Sequence, residues 1–236
     1  MIVLAVGCHP DDLEIECGGT LRKYVEQGAD VYMCHIANGC HGHVVIEPEE
    51  LARIRTLEAE RGGAVIGAKE VINLDVNDME VNAHDLRIMD AMADVVRRVR
   101  PDVIFAHNPK DYMLDHEQAS IIATNGAFCA GLNHRPRQYE AFGSFAPVFY
   151  MSTANGVDFQ PTHYVDITNQ METKLRAMEC HESQVKWLRD HDNIDILEKM
   201  RVVNQFRGYQ CGVKYAEGFR PYFVSGRLPV GNLLPD

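Results

Sequence analysis

His9-Pro10-Asp11-Asp12 puts an imidazole and two carboxylates within four residues, and a second polar stretch, residues 107–116, begins and ends on a histidine. Imidazole nitrogen and carboxylate oxygen are donors that zinc takes in hydrolytic sites, where three protein ligands leave a position open for water or substrate. His9, Asp12 and His116 make such a set. Pro10 stiffens the turn between the first two and leaves Asp11 free to face a substrate. The same donors suit ferrous iron. A blander reading stands beside this one. His9 could cap a turn, Asp11 and Asp12 could accept hydrogen bonds from orphan amides of a helix N-terminus, and Asp115 could do the same for a helix opening at His116.

These stretches meet only if the surrounding elements bring them to one edge of a sheet. IVLAVG (2–7) is continuously apolar and rich in β-branched residues, the pattern of a strand buried on both faces. A polar turn follows, closing on Gly18-Gly19, and then a helix over 20–28 ended by Gly28. Strands are expected over 29–37, 67–74, 101–109, 146–151 and 162–168, and helices over 49–66, 85–101, 116–132 and 169–189. In the 85–101 helix, Leu86, Met89, Met92 or Ala93, and Val96 recur at three-to-four spacing, so the methionines read as core filler rather than a cofactor box. No element is assigned beyond Asp190. The alternation of strands and helices predicts an α/β fold with a doubly wound, mostly parallel sheet flanked by helices. In such a sheet the loops at the carboxyl ends of the strands carry the chemistry. Residues 9–12, 38–43 and 107–116 all fall there.

The chain has 236 residues and no Pro/Gly/Ser-rich linker, repeat or low-complexity tract, which predicts one domain over 1–236. Asp and Glu number 34 against 23 Lys and Arg, a formal charge of -11 that repels a phosphate backbone and makes nucleic acid an unexpected partner. The first apolar run ends after about eight residues, too short for a signal-peptide core or a membrane span. Cytoplasmic residence without a membrane span is the expectation. Seven cysteines, at 8, 17, 34, 40, 129, 180 and 211, include no CxxC pair and argue against a disulfide framework or a four-cysteine zinc site. Gly7-Cys8-His9-Pro10-Asp11 lacks the G-x-G-x-x-G of a dinucleotide site.

HPDDLEIECGGTL resembles the opening signature of the PIG-L/LmbE family of zinc-dependent N-deacetylases, with Cys8 in the place of an alanine and Leu13 inserted before the glutamate. RTLEAERGGAVIGAKEVINLDVNDME is similar to that family's next helix and strand. NPKDYMLDH resembles the segment with its last ligand histidine, and KLRAMECHESQ and KYAEGF resemble its C-terminal half. The resemblance covers essentially the whole chain. It implies a Rossmann-like fold, a zinc cofactor, and removal of an acetyl group from an amino sugar or N-acetylglucosaminyl conjugate. It further implies His9, Asp12 and His116 as zinc ligands, Asp11 as general base, and Arg55 and Asp78 beside the substrate.

Two departures bear on activity. Met113 stands where the family commonly has a histidine that stabilises the tetrahedral intermediate or protonates the leaving amine, and a thioether does neither well. Gly39-Cys40-His41-Gly42-His43 replaces an acidic glycine loop. His41 and His107 are therefore the candidate substitute donors, with His43 and His181 behind them. Two other readings remain open: an amidase acting on a larger acyl group, and a non-catalytic metal-dependent carbohydrate-binding protein. Family resemblance also suggests a homo-oligomer, with AFGSFAPVFYM and RPYFVSGRLPVGNLLP either covering a partner or finishing the core.

Overall fold

Leu4 and Val6 lie in one buried cluster with Met92 and Ile122, while Val3 and Ala5 lie in another with Leu13 and Leu21, so the first strand is covered on both faces. The computed structural model describes residues 1–136, 138–143 and 146–224. Its strands are β1 (Ile2–Gly7), β2 (Asp30–Ala37), β3 (Glu70–Val76), β4 (Val103–Ala106), β5 (Val148–Met151), β6 (His163–Asp166) and β7 (Ala216–Pro221). The helices are α1 (Asp12–Glu26), α2 (Pro48–Ile66), α3 (Leu86–Val99), α4 (Leu114–Cys129), α5 (Met171–Glu179), α6 (Glu182–Asp190) and α7 (Ile196–Cys211).

The sheet order is β3-β2-β1-β4-β5-β7-β6. The first five strands run parallel, and β7 pairs antiparallel with both β5 and β6. This is the expected Rossmann-like, doubly wound and mostly parallel sheet. Strand order reverses between β1 and β4, and the loops leaving their carboxyl ends are the ones carrying His9 to Asp12 and His107 to His116. Such a switch point opens a crevice where ligands bind in open α/β sheets.

Several expectations are corrected. Helix α1 begins at Asp12, so Gly18 and Gly19 sit inside it instead of ending a turn. A Cβ at Gly19 would come within 2.8 Å of Ile167, so the glycine serves close packing. Helix α4 opens at Leu114, which puts Asp115 and His116 in its first turn, with Met113 at the N-cap. The helix expected over 169–189 breaks at Cys180-His181 into α5 and α6. Helix α7 and strand β7 are additional. Met89 and Met92 are buried in the core, as their spacing predicts. Val148 and Tyr150 of the first late apolar stretch also finish the core. Residues 144–145 and 225–235 of the two late stretches lie outside the described residues. No helix among the described residues is long and apolar enough to cross a membrane.

Candidate metal centre and its cavity

Asp11, the residue before α1, has φ 104°, in a region that side-chain-bearing residues seldom adopt. Its side chain makes no capping hydrogen bond to the helix. The carboxylate meets Arg55 instead, with the guanidinium 3.1 Å from Oδ2. Arg55 is buried on α2 and also donates to the carbonyls of Pro10 and Gly39, so one side chain ties the loops after β1 and β2 together. Gly39 has φ +78°, and a Cβ there would lie 2.6 Å from the Arg55 side chain, so the close approach requires glycine. Burial raises the Asp11 carboxyl above its ordinary value, with Arg55 opposing the shift.

Asp12 turns its Oδ2 back on the loop, accepting from the backbone N–H groups of Cys8 at 3.0 Å and His9 at 2.7 Å. Its other oxygen, Oδ1, lies 3.5 Å from His116 Nε2. Burial works against the charge, yet His116 and His107 hold this carboxyl well below the usual range. Donor atoms of His9, Asp12 and His116 all lie within 4.8 Å of one another, and all three residues line a cavity of about 410 Å³. Two imidazoles and a carboxylate so gathered fit a divalent metal.

The far nitrogen of each imidazole meets a carboxylate, an arrangement that fixes tautomer and ring orientation in metal sites. His116 Nδ1 lies 3.2 Å from Asp111 Oδ1. His9 Nε2 lies 3.3 Å from Asp115 Oδ2, which also accepts from the Met79 backbone N–H at 2.8 Å. Burial opposes ionisation of both acids, while hydrogen bonds to the histidines keep both carboxyls below their ordinary value. Asp115 is therefore a partner of His9 rather than a helix cap. Asp111 escaped the sequence reading, although a carboxylate five residues before a ligand-type histidine was its available signal. Burial pushes the neighbouring Cys8 thiol up to about 12, so it stays protonated.

Asp78 lines the same cavity and accepts from the N–H groups of Gly39 at 2.8 Å and His41 at 2.9 Å, which holds the loop after β2 over the site. The candidate histidines separate by place. His41 is exposed on the cavity wall, with Nδ1 3.2 Å from the Asp78 carbonyl oxygen. His107 does not line the cavity; its Nε2 lies 3.0 Å from Asp12 Oδ2 and its ring stacks on His116 at 4.2 Å. Its pKa is lowered, first by burial and then by His116. His43 packs against Trp187 and accepts from the amides of Val45 and Ile46. His181 is fully buried, 3.3 Å from Glu14. Met113 lines the cavity.

A seven-stranded α/β sheet thus carries at its switch point a buried two-histidine, one-aspartate cluster, the donor set of a catalytic metal centre. The PIG-L family profile, described as GlcNAc-PI de-N-acetylase, matches residues 4–126, and the chain belongs to that family. It is similar to diacetylchitobiose deacetylase of Thermococcus kodakarensis, 30% identical over 230 residues that span 95% of this chain and 83% of the relative. Among solved structures, N,N'-diacetylchitobiose deacetylase from Pyrococcus horikoshii superimposes with a TM-score of 0.79 at 26% identity, over 94% of this chain and 83% of that one. The 4-carboxy-2-hydroxymuconate hydratase of Pseudomonas putida shares the fold, with a TM-score of 0.82 at 22% identity over 98% and 99% of the two chains.

Proposed function

We propose that the protein is a metal-dependent N-deacetylase that hydrolyses the acetamide of an amino sugar or of an N-acetylglucosaminyl conjugate. The observation that carries this reading is the convergence of His9, Asp12 and His116 on a cavity wall they share with Asp11. Because the same fold serves a hydratase in one relative, these side chains and not the fold carry the function.

His9, Asp12 and His116 would hold zinc, and the donor set also accepts ferrous iron. A divalent ion bound there supplies Lewis acidity, polarising the amide carbonyl and making water acidic enough to be deprotonated near neutral pH. Asp11 accepts the proton of the attacking water and returns it to the departing nitrogen. A carboxyl raised by burial suits that exchange, because base and acid work best when the pKa approaches the working pH. Arg55 keeps Asp11 ionised and aimed. His41, on the cavity wall, is placed to donate to the substrate oxygen, whereas His107 backs the Asp12 carboxylate. Asp78 supports substrate binding through the loop it holds. Free thiols at all seven cysteines agree with cytoplasmic residence.

The test is acetate release from a panel of N-acetylated amino sugars and conjugates, with chelated protein and protein reloaded with zinc. Zinc-dependent release supports the reading. On matched substrates carrying longer N-acyl groups, release of the longer acid with no acetate from the N-acetylated ones would assign the amidase alternative, and metal-loaded protein inert on every substrate would remove the reading.

A further inference from the structure

Glu16 lies four residues beyond Asp12 on α1 and lines the same cavity. Residues four apart share a helix face. Asp12 and Glu16 thus stand on one wall, separated by about 6 Å along the helix axis. Glu16 is partly buried, and among the described residues it makes no hydrogen bond or ion pair. Ile15, Met200 and Asn204 line the same cavity.

Lys174, the cation whose charge acts on Glu16, and Asn204 of the cavity wall are both committed elsewhere. Lys174, fully buried, donates to Glu217 Oε1 at 2.6 Å and to Asn204 Oδ1 at 3.1 Å. The Asn204 amide nitrogen donates to the Met200 carbonyl at 2.7 Å. Glu217 uses both oxygens on the N–H groups of Gly19 and Thr20 as well. Lys174 and Glu217 thus neutralise one another, and Glu16 makes no bond of its own among the described residues; burial raises its carboxyl well above the ordinary value, with Lys174 opposing the shift. A carboxylate taken partly out of water without a partner is unfavourable, and a ligand that brings hydrogen-bond donors removes the penalty.

We infer that Glu16 is a substrate-recognition residue that accepts hydrogen bonds from ring hydroxyls of the sugar whose acetamide lies at Asp11 and Asp12. The inference rests on the deacetylase reading. One turn of helix is comparable with the width of a pyranose ring, so a sugar with its acetamide over Asp12 presents hydroxyls at Glu16. Glu16 thereby selects for a hydroxylated ring next to the acetamide, which a simple N-alkyl acetamide lacks.

The experiment compares wild type with Glu16→Gln and Glu16→Leu on the best N-acetylated sugar of the panel and on its monodeoxy analogues, with metal content and melting temperature measured on each protein. The expected result for Glu16→Leu is a KM raised about 10- to 100-fold with kcat within about threefold, and a smaller rise for the near-isosteric Glu16→Gln. One monodeoxy analogue should be a markedly poorer substrate than its parent for wild type and nearly equal to it for Glu16→Leu. A KM unchanged in both variants at full metal content overturns the inference while leaving the deacetylase reading in place. Equal discrimination among the deoxy analogues by wild type and Glu16→Leu overturns it too. Absence of acetate release by wild type removes the deacetylase reading, and this inference falls with it.

Discussion

The Arg55 guanidinium lies 3.1 Å from Oδ2 of Asp11, with both side chains buried and the cation also holding the Pro10 and Gly39 carbonyls. Without that cation, the burial that already raises the Asp11 carboxyl acts unopposed. Arg55→Met should therefore move the acidic limb of the kcat/KM profile to higher pH, by about 1–3 units. The sign follows from losing the charge that favours the carboxylate. A pH-rate profile checks it, and an acidic limb unmoved in Arg55→Met would show that Asp11 is not the group titrating there.

Asp111 and Asp115 orient the histidines from behind. Asp111→Asn and Asp115→Asn should each weaken metal binding by about 10- to 100-fold, as removal of such outer partners typically does. Competition with a chelator of known affinity gives the measurement. Unaltered affinity in both variants would mean that the acids serve the α4 N-terminus alone.

His41 and His107 should separate cleanly. His41→Ala is expected to keep its metal and lose about 100-fold or more in kcat, the usual worth of a positioned proton or hydrogen-bond donor. His107→Ala should instead reduce metal occupancy, because its contact is with Asp12 Oδ2 at 3.0 Å. Metal analysis alongside kcat distinguishes the two. The opposite pattern would exchange the roles assigned to these rings.

The sheet, and the edge of it at which His9, Asp12 and His116 gather, were legible because both rest on strong local signals. Unbroken β-branched runs mark buried parallel strands, and polar residues directly after them mark the catalytic edge. What the sequence concealed was long-range. Gly18 and Gly19 have low helix propensity, yet they lie within α1 because Gly19 must pass against Ile167. Helix α7 buries Asn204, Arg207 and Gly208 along with Ile196 and Met200, so it carries no clean apolar stripe. Strand β7, AEGFRP, contains glycine, proline and two charges, and its Glu217 is accommodated by Lys174 from α5 together with the Gly19 and Thr20 amides of α1. His107 reads in the sequence as a substitute donor because nothing local reveals that its ring lies behind Asp12.

The Lys174–Glu217 pair offers a test of the packing. Both residues are almost completely buried, and Glu217 also satisfies the Gly19 and Thr20 amides. Removing one member leaves an uncompensated buried charge, so Glu217→Ala should destabilise the fold by about 3–5 kcal/mol. Urea unfolding provides the comparison, and a loss below about 1 kcal/mol would place the pair in the range of surface ion pairs.

The central claim is that Asp11 does the proton chemistry beside a metal held by its neighbours. Its most direct test is acetate release by Asp11→Asn, with bound metal quantified in the same sample and His116→Ala as the metal-deficient control. The expected result is full metal in Asp11→Asn with the rate lower by about 10²- to 10⁴-fold, and loss of both metal and rate in His116→Ala. Asp11→Asn that keeps its metal and most of the wild-type rate would contradict the account.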